Sequence, residues 1–553
     1  MMRRIAPYVA VVMVLVSSAR ALASPADERL QDGDRIVFVG DSITGLGSNN
    51  PAGFVHLIEQ AMRQTRPHNT MTFSALGGSG QSVGSWLNVE NTSRQQDFNL
   101  DVPNVGVKTT LDRRADVVLV MLGMNDILAP YVTGEPKALD TWTDSYRKLI
   151  HALRERVHPR VMGLGTITPA TEDLASPKNR VIAQLNERAT ALARQEGCLV
   201  LPTNETMRAF LEEGRRYRAD FHVTYDFVHP NAAGHVAIAM GMLKGLGEQS
   251  AASVLAQKYG ADLRRQLLGK WPLLSCSVEP VEGPLDAVGQ TFRLRYCWTA
   301  GSEHEQGSPR VSVVPPQRWE VTPQFQKAAS GEFTVKGQPD RLENALTVEA
   351  TEGPTVRRIH TVIPAPWLVG TGVINGSAWQ AGRFDPASGR LPMDASFSQG
   401  RGLGKPAPAA EAKNLEWRRY FPSLNYTGGM DPESVDFWQV SFGRTFEVGY
   451  AARWIHSQRD RPVTLRLGST AFAGNIGLTV WLNGRQLYAG TITAEPHKKV
   501  SVPGSLRQGE NCLVFKCNHC AWLWQASVGV QGAAADDLSD ARIYATPTPP
   551  SNP

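Results

Sequence analysis

RIVFVGDSITGLG, residues 35–47, is the stretch from which the fold of the N-terminal half can be inferred. The apolar run at residues 36–39 has the length and composition of a short buried strand, and Gly40, Asp41 and Ser42 follow it at once. An Asp-Ser pair after a strand is often only a turn or the start of a helix. The alternative is that the strand presents the Ser42 hydroxyl to a cleft, and the surrounding sequence has to decide between the two.

Strand and helix patterns alternate on both sides of this stretch, from Asp34 to about Gly247. The run VVLVML at residues 117–122 is apolar throughout, as expected for a strand that is covered on both faces. A further strand fits residues 161–167. Three segments have the apolar spacing of helices, namely residues 54–62, 146–157 and 179–195. This alternation predicts an α/β domain of three layers, with helices on both faces of a parallel sheet.

After Trp271 the pattern changes to short strand-like runs that are broken by proline and glycine, which is typical of β-sandwiches. The stretch VWLNGRQLYAG contains Asn483-Gly484, which predicts a hairpin turn. We predict six segments: a signal peptide at 1–23, the α/β domain at 24–270, a first sandwich at 271–370, a linker at 371–413, a second sandwich at 414–540 and a disordered tail at 541–553.

The N-terminus has the layout of a secretory signal peptide. Two arginines precede the apolar run at residues 5–16, and Ala21-Leu22-Ala23 follows as a cleavage site. We therefore predict an exported protein, secreted or periplasmic, that is cut after Ala23 and retains no integral membrane segment. The formal charge of +5 over 553 residues is slight, so nucleic acid is not expected as a partner.

The six cysteines leave several possibilities open. Cys276 and Cys297 flank a hairpin-like segment and are candidates for a disulfide, whereas Cys198 lies on an apolar strand and is expected to be a buried thiol. The segment NCLVFKCNHC holds three cysteines and a histidine, a composition compatible with a zinc knot. No second ligand pair follows at zinc-finger spacing, so we predict no metal there and favour a disulfide or packing.

Polar groups follow three of the predicted strands, and in a parallel sheet ligands bind outside these carboxyl ends. Ser42 follows the first strand, the glycine-rich residues 77–80 follow a second one, TMTFSAL at residues 70–76, and residues 123–126 follow the strand VVLVML. A later stretch, YDFVHPNAAGH, places Asp226 three residues before His229. The glycine-rich loop resembles a phosphate loop, but no Gly-Lys-Ser/Thr follows it. We predict that all these groups line one cleft.

Together these groups have the composition that acyl transfer requires. A serine hydroxyl becomes nucleophilic when a base accepts its proton, and His229 is the candidate base for Ser42. Asp226 would orient the imidazole and stabilise its charged form. The amides of Ser42 and Gly80 and the side chain of Asn125 would donate to the oxyanion. Taken singly, each group also has a purely structural interpretation.

The same residues resemble the motifs of the SGNH or GDSL-type serine hydrolases. Gly40 to Thr44 is similar to the first block, with isoleucine where the pattern has leucine; Gly123 to Asp126 is similar to the third block, and Asp226 to His229 to the fifth. Gly80 matches the second block, although Ala75 stands where an asparagine is often found. The resemblance covers residues 34–247. It implies a flavodoxin-like α/β/α fold, a Ser42-His229-Asp226 triad, oxyanion donors at Ser42, Gly80 and Asn125, and neither metal nor organic cofactor.

The substrate has to be inferred from the accessory domains, because a fold does not fix a substrate. The last domain resembles galactose-binding-like jelly rolls of secreted carbohydrate-active enzymes, and the middle domain resembles their immunoglobulin-like spacers. Four tryptophans are candidates for stacking on sugars or for filling the sandwich core: Trp454, Trp481, Trp522 and Trp524.

We therefore predict an esterase that removes acyl groups, most simply acetyl, from a polysaccharide or oligosaccharide. One alternative is a lipolytic or general short-chain acyl esterase. An alternative of another class is a non-catalytic glycan-binding surface protein. Residues 91–109, rich in Asn, Asp and Gln, are predicted to form a long loop beside the cleft.

Overall fold

The structure is a computed structural model. It describes residues 29–128, 134–268, 273–281, 283, 289–299, 308–374, 412–422, 433–437, 447–468, 476–492, 499–518, 525–533, 536 and 538–545. The predicted signal peptide lies outside the described residues, as do most of the predicted linker and the proline-rich end of the chain.

The N-terminal domain is built on a parallel sheet of five strands in the order β2-β1-β3-β4-β5. The strands are β1 (Arg35–Asp41), β2 (Thr72–Gly78), β3 (Val117–Met121), β4 (Val161–Gly165) and β5 (Leu199–Leu201). Every residue of β3 is buried, as its unbroken apolar sequence predicts for a strand that is covered on both faces. β1 lies between β2 and β3, so the loops that follow these two strands flank its carboxyl end.

Helices cover both faces of this sheet. They are α1 (Ser42–Asn49), α2 (Phe54–Thr65), α3 (Val83–Ser93), α4 (Val107–Leu111), α5 (Met124–Leu128), α6 (Pro136–Val157), α7 (Pro177–Gln195), α8 (Thr203–Tyr217), α9 (Ala232–Gly245) and α10 (Gln249–Leu268). Helices α2, α8, α9 and α10 pack together in one layer, and α3, α4, α6 and α7 pack in the other. The predicted three-layer α/β/α fold is confirmed.

Two antiparallel sheets of four strands follow, in the orders β6-β7-β11-β9 and β10-β8-β12-β13. The strands are β6 (Leu273–Pro280), β7 (Gln290–Thr299), β8 (Arg310–Val314), β9 (Glu320–Thr322), β10 (Phe325–Lys327), β11 (Ser330–Gly337), β12 (Glu343–Glu352) and β13 (Thr355–Pro364). Alternate residues of β12 are buried, including Leu346, Val348 and Ala350, and they pack with Phe292 and Val335 of the facing sheet. This alternation confirms the predicted β-sandwich character.

The C-terminal part holds a larger sheet, β15-β14-β17-β22-β19-β20 with β24 beside β17, and a second sheet, β16-β23-β18-β21. The strands are β14 (Trp367–Ile374), β15 (Ala412–Tyr420), β16 (Ser434–Asp436), β17 (Glu447–Ser457), β18 (Arg461–Gly468), β19 (Ile476–Leu482), β20 (Arg485–Ile492), β21 (Val500–Leu506), β22 (Gly509–Asn518), β23 (Gln525–Gly532) and β24 (Arg542–Tyr544). Asn483 and Gly484, both with positive φ, join β19 to β20, which confirms the predicted hairpin.

Strand β14 crosses the boundary that we predict at residue 370. It pairs with β15 and β17, so its residues on both sides of that position lie in the C-terminal sheet. The sequence has the same pattern of short strands on both sides of residue 370. Only the hydrogen-bonded pairing of β14 shows to which sheet this strand belongs.

The candidate disulfide between Cys276 and Cys297 is not formed, and both are free thiols. In the β6–β7 ladder Cys297 lies opposite Ser275, and Cys276 lies opposite Tyr296. Because side chains alternate along a strand, this offset of one residue directs the two thiols to opposite faces of the sheet. Cys198 is a buried free thiol, as predicted.

Two of the four candidate sugar-stacking tryptophans, Trp454 and Trp481, are buried, with 1% and 9% of their surface exposed. They have no exposed ring face to offer a sugar, so for these two the core-filling interpretation is correct. Trp522 and Trp524 lie outside the described residues. The predicted cysteine cluster around His519 lies partly outside them.

The N-terminal and middle domains meet where α8 ends. The Ala219 N–H donates to the Ser275 hydroxyl over 3.1 Å, and the Cys297 thiol lies 3.3 Å from the Arg216 carbonyl. Burial raises the pKa of Cys297 to about 11, so the thiol keeps its proton and acts as a donor.

In the part of the chain that the structure describes, no helix is long and apolar enough to cross a membrane.

Candidate active site

Ser42 is the first residue of α1, directly after β1. The Asp41 side chain caps this helix by accepting the Ile43 N–H over 2.9 Å, which is the capping role that the Asp-Ser pair suggests. The Trp86 indole N–H donates to the Gly40 carbonyl over 2.8 Å and so ties the end of the strand to α3. The Ser42 hydroxyl lies 2.8 Å from Nε2 of His229, although 187 positions separate the two residues. Ser42 therefore begins a helix, and its hydroxyl also lies within hydrogen-bond distance of a histidine.

His229 and Asp226 lie on one tight turn between α8 and α9. Nδ1 of His229 is 2.6 Å from Oδ2 of Asp226, and Oδ1 of the same carboxylate accepts the main-chain N–H groups of Val228 and His229. The chain reverses between these two residues, which lie in a bend rather than in a helix. Phe227, with a φ of 72°, supplies that reversal. The Tyr225 ring stacks on the imidazole with 5.7 Å between centroids, and 53% of the tyrosine is exposed.

The loops that follow β2 and β3 come together beside β1. The Asn125 side-chain amide, at the start of α5, donates to the Gln81 carbonyl over 3.0 Å and so ties the two loops to each other. Gly77 packs on the backbone of α1, where a Cβ would lie 2.1 Å from the Gly45 nitrogen. Gly80 has a φ of 76°, a conformation that favours glycine. Ser42, Gly80 and Asn125 thus lie on three adjoining segments at the carboxyl end of the sheet.

The environment of His229 favours its protonated form. Burial by itself lowers the pKa of His229, but the hydrogen bond and charge of Asp226, with the charge of Asp41, raise it above its ordinary value. Two further carboxyl groups lie in the motif segments. Burial raises the pKa of Asp41 to about 7 and that of Asp126 to about 6, and Asp126 accepts the Val83 N–H over 3.0 Å. Each accepts a main-chain N–H group, Asp41 that of Ile43 and Asp126 that of Val83, and so helps to hold the backbone around Ser42.

The predicted loop at residues 91–109 begins in α3 and ends in α4, with irregular structure between them. Asp101 at its centre contacts the glycine-rich loop: its N–H donates to the Gly77 carbonyl, and its Oδ2 accepts both the N–H and the hydroxyl of Ser79. The loop therefore lies beside the glycine-rich loop that follows β2. The role of Asp101 was not predicted, because nothing in the sequence distinguishes it from the other acidic residues of the loop.

Among the residues that the structure describes, no group of three or more histidine, cysteine, aspartate or glutamate side chains is arranged to hold a metal ion.

Residues 38–237 match the sequence model of the GDSL-like lipase/acylhydrolase family. This segment belongs to that family. The match confirms the predicted resemblance to the SGNH or GDSL-type hydrolases, and with it the prediction of an ester hydrolase. The matched segment begins within β1 and ends within α9, so the GDSL domain includes Ser42, Gly80, Asn125, Asp226 and His229.

The GDSL domain is also similar to individual proteins. An acetylxylan esterase of Geobacillus stearothermophilus is 24% identical over 231 residues, which are 40% of this chain and 96% of that protein. The crystal structure of Axe2, an acetylxylan esterase from the same organism, is 21% identical with a TM-score of 0.32, covering 40% of this chain and 97% of that one. LAE5, an α/β hydrolase enzyme from the metagenome of Lake Arreo, Spain, is 21% identical with a TM-score of 0.31 and the same coverage.

Proposed function

We propose that this protein is a serine esterase that hydrolyses acyl esters, most simply acetyl esters, on carbohydrate. The observation that carries the proposal is the continuous chain from the Ser42 hydroxyl through His229 to Asp226, with links of 2.8 Å and 2.6 Å. Both links are within the reach that proton transfer requires. The carbohydrate part of the proposal is supported by the similarity to acetylxylan esterase.

In the first half of the proposed reaction, Ser42 Oγ attacks the ester carbonyl carbon while Nε2 of His229 accepts the serine proton. The tetrahedral intermediate collapses when His229 returns that proton to the departing sugar oxygen. In the second half, water attacks the acyl-serine, His229 accepts a proton from the water, and the carboxylic acid leaves as Ser42 regains its proton. Asp226 keeps the imidazole in the required tautomer and stabilises its charged form.

The oxyanion would be stabilised by the N–H groups of Ser42 and Gly80 and by the Asn125 amide. The hydrogen bond from Asn125 to the Gln81 carbonyl uses one of the two N–H groups of the side chain and fixes its orientation, which leaves the second for the oxyanion. Such donors are effective because they are already oriented when the charge develops.

Replacing Asn125 with alanine is expected to lower kcat for p-nitrophenyl acetate by roughly 10²- to 10³-fold, because one oxyanion donor is lost. The matched control is Asn204→Ala, since Asn204 is also buried and also donates to a backbone carbonyl, that of Ile167. The control is expected to lose stability but to keep its kcat. Equal losses of kcat in the two variants would assign Asn125 a structural role only.

The substrate is tested by following acetate release from acetylated xylan, pectin, xyloglucan and alginate, with p-nitrophenyl acetate as the general ester. Release from one polymer supports the carbohydrate esterase. Activity on the small ester alone favours a lipolytic or general short-chain esterase. Absence of all activity, with no labelling of Ser42 by a fluorophosphonate, favours a non-catalytic glycan-binding protein.

Export is also part of the proposal, on the basis of the arginines, apolar run and cleavage site at residues 1–23. Expression of the full chain in a bacterium and N-terminal sequencing of the exported protein test it. A mature N-terminus at Ser24 supports cleavage after Ala23, whereas protein retained in the cytoplasm with its first residues intact would contradict it.

A further inference from the structure

Glu172, in the segment that connects β4 to α7, is a buried carboxylate for which the proposed reaction has no use. Only 5% of its side chain is exposed. Oε1 accepts the N–H groups of Val223 and Thr224 and the Thr224 hydroxyl, over 2.8, 2.9 and 2.8 Å. Oε2 lies 2.6 Å from Nδ1 of His222 and 3.2 Å from the Arg215 guanidinium. This one carboxylate thus contacts three consecutive residues that end two positions before Asp226.

Residues 222–224 form one side of the stem of the loop that carries Asp226 and His229. The other side is Pro230 and Asn231: Thr224 and Pro230 form an isolated bridge, and the Asn231 N–H donates to the Val223 carbonyl over 3.0 Å. One further main-chain bond, from Tyr225 N–H to the His229 carbonyl, closes the loop. Asp226 and His229 lie at its more exposed tip, so their positions relative to Ser42 depend on how firmly the stem is held.

Glu172 is suited to hold this stem because it stays ionised. Burial would raise the pKa of Glu172, but the hydrogen bond and charge of His222, the Val223 N–H and the charge of Arg215 hold it below its ordinary value. An ionised carboxylate accepts hydrogen bonds more strongly than a neutral group does. Without it, the buried N–H groups of Val223 and Thr224 would lack their acceptor.

We propose that Glu172 is a positioning residue for the reaction, which anchors the stem of the catalytic loop and thereby keeps His229 within reach of Ser42. The proposal rests on the proposed esterase function. Loss of the Glu172 contacts should therefore lower kcat as well as the stability of the fold.

The experiment compares Glu172→Ala and Glu172→Gln with the wild-type full-length protein on p-nitrophenyl acetate. The alanine variant loses all five contacts, and we expect its kcat to fall roughly 10²-fold, with KM changed by less than about twofold. The glutamine variant keeps Oε1 as the acceptor for Val223 and Thr224, so we expect it to recover activity to within about tenfold of the wild type. The rate of Ser42 labelling by a fluorophosphonate is expected to follow kcat, because labelling also needs His229 in place.

The matched control is Glu196→Gln. Glu196 likewise contacts a histidine and arginines, since Oε2 lies 2.8 Å from Nε2 of His151 and 3.3 Å from Arg154, but it has no contact with the catalytic loop. We expect this variant to keep the wild-type kcat. If the alanine variant does not fold, Thr224→Val serves in its place, since it removes only the hydroxyl bond to Glu172; we expect a loss in kcat of about threefold.

Two results would overturn the proposal. One is a wild-type kcat in folded Glu172→Ala or, where that variant does not fold, in Thr224→Val. The other is a loss of kcat that disappears when the assay temperature is lowered far below the melting temperature of each variant. Failure of the esterase function itself looks different, because the wild-type protein would then neither turn over an ester nor react with the fluorophosphonate.

Discussion

Replacing Ser42 with alanine is expected to lower kcat for p-nitrophenyl acetate by roughly 10⁴-fold or more, and to abolish acetate release from any polymer that the wild type deacetylates. The reason is that the variant has no oxygen at the position 2.8 Å from Nε2 of His229 and cannot form an acyl-enzyme. The fold should be unaffected, since Asp41 still caps α1 through the Ile43 N–H.

The control is Ser145→Ala on α6, where the partly exposed hydroxyl donates to the Thr141 carbonyl. It should retain full activity. A fluorophosphonate probe gives an independent measurement, because it reacts with activated serines and should label the wild type and the control but not the Ser42 variant. Labelling of Ser42→Ala at the wild-type rate would show that the nucleophile is another residue.

Replacing Asp226 with asparagine is expected to lower kcat by about 10⁴-fold at neutral pH. An amide at this position can retain one oxygen for the Val228 and His229 N–H groups, so the turn stays formed. Its NH₂ group would then face Nδ1 of His229 and place the ring proton on Nε2. The histidine then offers Ser42 a donor where it needs an acceptor. The control is Asp220→Asn, which removes the charge of Asp220 and one of its two hydrogen bonds with Arg218 at the start of the same segment.

The pH dependence of the wild-type activity should also show the effect of Asp226 on His229. Catalysis needs neutral His229, so kcat/KM rises as pH rises through the pKa of this group. Because Asp226 and Asp41 raise that pKa over the opposing effect of burial, the acid limb should lie above the ordinary imidazole value of about 6.5. In Asp226→Asn the main raising influence is gone, so the residual activity should have its acid limb at lower pH. A limb that stays in place, or moves upward, would mean that another group sets it.

The parts of the site that can be predicted from sequence are those fixed by local pattern. β1 and β3 are apolar runs that end in polar residues, and parallel strands bring such ends to one edge. Asp226 and His229 are three residues apart on one turn, so their contact needs no long-range information. The domain's fold follows for the same reason, since alternation of strand and helix leaves few arrangements open.

Contacts between segments that are distant in the sequence could not be predicted. Asp101 and Glu172 are acidic residues in polar loops, and the partners of their side chains lie 22 and 43–52 positions away. The strand register that separates Cys276 from Cys297 is equally invisible, because a shift of one residue reverses the face to which a side chain points. Trp454 and Trp481 show the same limit, since a tryptophan that fills a core and one that binds a sugar look alike in a single sequence.

The contact between the end of α8 and the middle domain affects whether the middle domain can be exchanged for that of another protein. The Cys297 thiol and Ser275 hold residues 216 and 219, immediately beside Arg215, which contacts Glu172. A chimaera in which another sandwich replaces the middle domain would therefore alter the support of the esterase loop as well as the spacing between domains. We expect such exchanges to succeed only when the incoming strand pair supplies a hydroxyl and a donor at the same two places.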